Sequence, residues 1–152
     1  MTTNSDNQDQ ALAQECAAFM LNNDPVSQGL GIKLESVSSG NATVSMTITN
    51  AMLNGHKTCH GGILFSVADS AFAFACNSQN HAAVAASCTI DFLLPALVGD
   101  KLSAVATLYH QGGRTGVYHV TLKNQNDQVI AFFKGNSARI KRNVLPENKH
   151  TT

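Results

Sequence analysis

Apolar residues first recur at helical spacing in Asp9–Leu21, where Leu12, Cys16, Phe19 and Met20 share a face. The polar run over residues 1–8 carries no such pattern and reads as a disordered leader. Asn22-Asn23-Asp24-Pro25 stops the helix. Strand-like alternation follows in Ile32–Val37 and Ala42–Thr49. In the second of these, Val44, Met46 and Ile48 face one way and Thr43, Ser45 and Thr47 the other. Ser38-Ser39-Gly40-Asn41 between them is turn chemistry, so a hairpin is expected.

A loop over Asn50–Cys59 leads into the densest apolar stretch, GGILFSVADSAFAFACNS. Its Ala, Leu and Phe content favours helix, and it is too long for an ordinary strand. Being apolar nearly all round, this helix has to be enclosed. Four strand patterns complete the chain. Val84, Ala86, Cys88, Ile90 and Phe92 share one face and end at Pro95; Leu102, Ala104, Ala106 and Leu108 follow. Gly112-Gly113 turns the chain into Val117–Lys123, and Asn124–Asp127 turns it into Val129–Ile140. Short turns between long strands predict an antiparallel meander. The end, residues 141–152, is basic, contains proline and reads as a flexible tail, leaving 9–140 as a single domain.

The fold class is therefore α+β, with one buried helix and a curved antiparallel sheet of about six strands that wraps it. An uncovered side of the helix and an exposed sheet edge would then seek a partner. Composition narrows the function. With hydrophobic residues at 43%, the chain is not disordered, and Lys+Arg 10 against Asp+Glu 10 leaves no basic face for nucleic acid. Charged residues make up 13% against a typical ~25%, as a surface covered by another copy or a ligand would require. Abundant Asn, Gln, Ser and Thr also keep a surface wet. Cys16, Cys59, Cys76 and Cys88 contain no CxxC pair, and MTTNSDNQDQ has no apolar export segment. Reduced thiols and a cytoplasmic address are expected. Ile63–Cys76 is too short to cross a bilayer and carries Asp69, so no membrane partner is expected.

The chemistry is concentrated at Asn54-Gly55-His56-Lys57-Thr58-Cys59-His60-Gly61-Gly62, which runs straight into the buried helix. Free N–H groups and the positive dipole end at a glycine-rich helix start favour a developing oxyanion. A plain tight turn explains the same glycines. Asp69 is the only charge between Gly62 and Cys76. A carboxylate there either pairs structurally or serves as base or nucleophile toward a carbonyl. Gly61 and Asp69 are eight residues apart on one helix, about 12 Å along the axis. One carbonyl needs both groups within about 3 Å, so a single copy cannot supply both. If both act, the site lies between two chains with antiparallel helices, twice per dimer.

MLNGH, CHGG, ADSAFAFACNS, CTIDFLLP and QGGRTGVY together resemble the phenylacetic acid degradation thioesterases of the hotdog-fold acyl-CoA thioesterase superfamily. The resemblance runs from about Gly29 to Ile140 and is most specific over Asn54–Asn77. It implies a hotdog fold and hydrolysis of arylacetyl-CoA, such as phenylacetyl-CoA or its ring-hydroxylated forms, without a cofactor. It implies Asp69 as the catalytic carboxylate and Gly61 as the residue whose N–H polarises the thioester carbonyl. Asn54 matches the amide that holds the carbonyl or the attacking water, and His60 a positioning group at the helix entrance. Some relatives carry a hydroxyl one turn after the carboxylate; here that position is Ala73. The family also tends to pair dimers into tetramers.

Other readings stay open from sequence. A dehydratase or hydratase on 3-hydroxyacyl thioesters shares the fold, and so would a non-catalytic acyl-CoA binder. His56, Cys59 and His60 suggest zinc by spacing but lack a fourth ligand, so no metal is expected. Arg139, Lys141 and Arg142 would either meet coenzyme A phosphates or form a solvated strand exit. Phe72, Phe74, Phe92, Phe132 and Phe133 are read mainly as core, with one or two of them, not distinguishable from sequence, expected to line an acyl pocket.

Overall fold

A computed structural model describes residues 1–147 of the 152. The elements in chain order are α1 (Asn4–Asn22), α2 (Pro25–Gly29), β1 (Lys33–Ser38), β2 (Asn41–Thr47), a 3-10 turn at Asn50–Met52, α3 (Gly61–Cys76), β3 (His81–Phe92), β4 (Lys101–Gln111), β5 (Thr115–Lys123) and β6 (Val129–Asn143). The strands form one antiparallel sheet in the order β1-β2-β4-β5-β6-β3, curved around α3.

The enclosure of α3 follows from its composition. Leu64, Val67, Ala68, Ala71, Phe72, Phe74 and Ala75 are all buried, so nearly every turn presents apolar surface on more than one side. Phe72 meets Tyr118 and Phe133 with ring centroids 5.5 and 5.9 Å apart, and Phe65 meets Phe133 at 5.3 Å. The sheet yields to this ridge at Gly135, where an added Cβ would lie 2.8 Å from Phe72 Cε2.

Four expectations are corrected. The leader expected over 1–8 is helical from Asn4. Thr3 and Asp6 exchange hydrogen bonds of 2.9 and 3.2 Å in a capping box, which needs no apolar residue. The buried face of α1 is Ala13, Cys16 and Ala17, while Phe19 lies at its margin, 38% exposed. Small residues let α1 approach β1 closely, which rotates the buried stripe away from Leu12. The sheet is not a simple meander either, since β3 crosses to pair with β6 and leaves β2 beside β4. The β3–β4 connection, residues 93–100, is not a tight turn. It folds back with the Leu97 N–H on Asp100 Oδ2 at 2.9 Å. Lastly, the tail expected from 141 begins later. β6 continues to Asn143, which pairs with His81, and the remaining tail residues 148–152 lie outside the described ones. No helix among the described residues is long and apolar enough to cross a membrane.

Candidate active site

The entrance to α3 is a clipped loop. The Asn54 N–H donates to Thr58 O at 2.8 Å, and Asn54 Oδ1 accepts from the N–H groups of His56 (2.9 Å) and Thr58 (3.2 Å). The Asn54 amide also donates to Thr58 Oγ1 at 3.1 Å. Lys57 takes the left-handed conformation at φ 60°, which tightens the turn. Met52 O then accepts the His60 N–H at 2.8 Å and fixes where the helix starts.

His60 is the N-cap of α3. Its Nδ1 accepts the Gly62 N–H at 2.9 Å, so the ring proton sits on Nε2. Its carbonyl takes the Ile63 and Leu64 N–H groups at 2.9 and 3.2 Å. Of the first-turn donors, the Gly61 N–H alone has no partner among the described residues. One amide at the positive end of the buried helix is thus left to meet a ligand. The tight-turn reading does not account for glycine at 61, because its φ is not in the left-handed region. An added Cβ would lie 3.1 Å from Phe92 Cζ, a crowded contact that the exposed ring would have to yield to.

Gly61 opens on a groove of about 430 Å³ lined by Asn54, Thr58, Leu64, Phe92, Leu93 and Leu94 among others. Asn54, His60 and Gly61 are therefore gathered at one place. Asp69 is not with them. It lies on the same unbroken helix, eight residues on, about 12 Å along the axis. Its carboxylate is half-buried and makes no hydrogen bond among the described residues. Burial, and then the nearby Asp24 carboxylate, raise its pKa above the ordinary carboxylate value.

Asp24 was not singled out by sequence, although Asp24-Pro25 is a readable helix start. It caps α2 by accepting the Ser27 N–H at 2.9 Å and the Ser27 hydroxyl at 2.5 Å. Ser27 in turn meets Ser70 Oγ at 3.0 Å, which ties α2 to α3 beside Asp69 and occupies Ser70. Phe92, grouped with the core by its place in β3, is 53% exposed and faces the groove. Phe72, Phe74 and Phe133 are core as expected.

Of the other candidates, Cys59 lines the same groove, whereas His56, Arg139, Lys141 and Arg142 lie outside its lining. His56 is exposed, and burial pushes the Cys59 thiol up to about 11, far from a reactive thiolate. Burial and then Asp69 push Cys76 up to about 12. Arg139 is engaged, its Nη2 donating to Gln79 Oε1 at 2.8 Å, whereas Lys141 and Arg142 are exposed.

Comparison with known proteins fits this arrangement. Residues 56–131 match the Thioesterase superfamily. The chain is 51% identical over 135 residues to the acyl-coenzyme A thioesterase PaaI of Escherichia coli (strain K12), covering 89% of this chain and 96% of that protein. The structure of the E. coli PaaI protein from the phenylacetic acid degradation operon superposes with a TM-score of 0.87, covering 88% of this chain and 97% of that one. A Streptococcus mutans UA159 protein bound to acetyl CoA is 25% identical, with a TM-score of 0.71, over 73% of this chain and 90% of that one. With one free amide at the tip of a wrapped helix and relatives of this kind, the chain belongs to the thioesterase superfamily and is an acyl-CoA thioesterase on the hotdog fold.

Proposed function

We propose that the chain hydrolyses arylacetyl-CoA, phenylacetyl-CoA or a ring-hydroxylated form, to the free acid and CoA, at sites shared between two protomers. One observation carries the reading: among the described residues, α3 holds a single unpartnered N–H at its tip and an unpartnered carboxylate about 12 Å further on. Neither serves the packing of its own protomer, and a second antiparallel helix brings each to its complement. The long uncovered β3 supports the same pairing. The E. coli relative's phenylacetic acid degradation operon supports the aryl substrate.

In this reading the Gly61 N–H stabilises the oxyanion that forms on the thioester carbonyl. Asp69 of the facing protomer takes a proton from water as its oxygen attacks the carbonyl carbon. The tetrahedral intermediate then expels the CoA thiolate, which recovers the proton. In the covalent variant Asp69 itself attacks the carbonyl carbon, and the C–S bond breaks to release the CoA thiolate. Water then hydrolyses the acyl-aspartyl anhydride, its protons passing to the thiolate and the solvent. Asn54 is committed to its own loop through Oδ1 and through one amide hydrogen on Thr58 Oγ1, and its second amide hydrogen serves the carbonyl or water. His60 sets the geometry through its bond to Gly62. The free thiols suit a reducing cytoplasm. Dimers pair further into tetramers on this reading.

Release of free thiol from phenylacetyl-CoA, followed with a disulfide dye, tests the activity; silence toward it overturns the aryl reading. Single turnover in heavy-oxygen water separates the two routes. Label in the aspartate marks the covalent one, and label in the product acid alone, with no acyl-aspartate trapped by hydroxylamine, marks direct attack by water.

A further inference from the structure

Resting on the arylacetyl reading, we infer that Phe92 is the residue that selects the aryl group, by offering a ring face beside the Gly61 N–H. Phe92 is the last residue of β3 and is 53% exposed, whereas Phe72, Phe74 and Phe133 are at most 1% exposed. Its exposure is not the looseness of a chain end. The Leu93 and Leu94 N–H groups both donate to Ile130 O, at 2.8 and 3.2 Å, and Ala96 O accepts the Cys59 N–H at 2.8 Å. The backbone is held on both sides while the ring is held out.

The ring lies face-on over Gly61 at its Cζ end. From a Cβ placed on Gly61, Phe92 Cζ is 3.1 Å away and the two ε carbons 3.4 and 3.6 Å. With the ε carbons scarcely further off than Cζ, the Cβ position lies over the Cζ end of one ring face, so that face covers the glycine and the opposite face is left exposed along the groove. A second ring seated in the groove stacks on that opposite face, within the same groove as the amide that holds its carbonyl. The groove lining carries no charged residue, and Leu93, Leu94 and Pro95 continue its apolar wall. That chemistry suits the acyl end of the substrate and not the phosphates of coenzyme A. Glycine at 61 then has two duties, to bare its N–H and to leave room for the ring.

The experiment is a selectivity ratio, kcat/KM for phenylacetyl-CoA over kcat/KM for butyryl-CoA, measured for wild type, Phe92→Leu and Phe92→Ala. Leu keeps apolar volume without a ring face, and so guards against a general loss of packing. We expect the ratio to fall about tenfold in Phe92→Ala, with most of that fall already present in Phe92→Leu. A ratio that moves less than twofold in both variants, with wild type active on both thioesters, overturns the role of Phe92 alone. A ratio kept in Phe92→Leu but lost in Phe92→Ala shows that bulk suffices, and also overturns it. Wild type inert toward phenylacetyl-CoA but active on butyryl-CoA removes the arylacetyl reading and this inference with it.

Discussion

The sheet ends on one side in β1, six residues long, and on the other in β3, twelve residues long. β1 is interrupted by a register shift between Leu34 and Ser36 and carries Lys33 and Glu35. α1 packs over it, and Gln10 Nε2 donates to Val37 O at 2.8 Å, satisfying a backbone carbonyl on that strand. Each of these features discourages a further strand. β3 also has register shifts where it meets β6, but it places exposed Val84, Ala85, Ala86 and Ser87 in a row with charge only toward its ends. On the proposed pairing, the contrast favours β3 as the edge that a second copy meets. The β3 edge also ends at Phe92, against the bare tip of α3, so the proposed interface would border the proposed site.

The largest effect is expected at the carboxylate that a second copy would bring into play. Asp69→Asn should lower kcat by about 10²- to 10⁴-fold with the fold intact; turnover near wild type removes Asp69 from the chemistry. Because burial and Asp24 raise the Asp69 pKa, the native state holds this proton more tightly than the unfolded chain. Stability is therefore lost as pH rises from the unfolded value through the raised native one. Asn carries no such cost, so its thermal midpoint should exceed wild type at pH 7, and the gain should vanish below the ordinary aspartate value of 3.8. The acid limb of the wild-type rate profile should lie above that same value.

Next in size, Val84→Lys on β3 should separate protomers in sedimentation and take activity down with the dimer fraction. Ser36→Lys on β1 should alter neither, and equal effects at the two edges would erase the distinction between them. On β6, which supports β3, Gly135→Ala places a methyl 2.8 Å from the Phe72 ring. It should cost about 1–3 kcal/mol in denaturant unfolding. The smallest change is at the tip of α3. His60→Ala removes the acceptor for the Gly62 N–H and should cost about 0.5–2 kcal/mol as a lost cap.

Much of this was legible in sequence where periodicity was strong. The all-round apolar character of residues 63–76 required a wrapped helix, and the spacing of Gly61 and Asp69 required that one chain separate them. Local chemistry without periodicity was harder to read. Thr3 and Asp6 spell a capping box inside a wholly polar run, and Asp24-Pro25 starts a helix where it was read as an ending. Strand order was not legible because alternation reports a face and not a neighbour, so nothing in His81–Phe92 says that it pairs with β6. Asn54, His60 and Gly61 are close in sequence and so were found together. Phe92 and Asp24 come to the site from distant segments; Asp24 carries no local signal for that contact, and Phe92 was one of five phenylalanines among which sequence could not choose a pocket residue.

Burial raises the pKa of all four cysteine thiols, Cys59 to about 11 and Cys76 to about 12. Reaction with a disulfide dye proceeds through the thiolate, so the native enzyme adds little background colour to a CoA-release measurement. Denaturant exposes every one of them at once. The same reagent that counts product therefore also serves as a built-in gauge of how much enzyme has come undone.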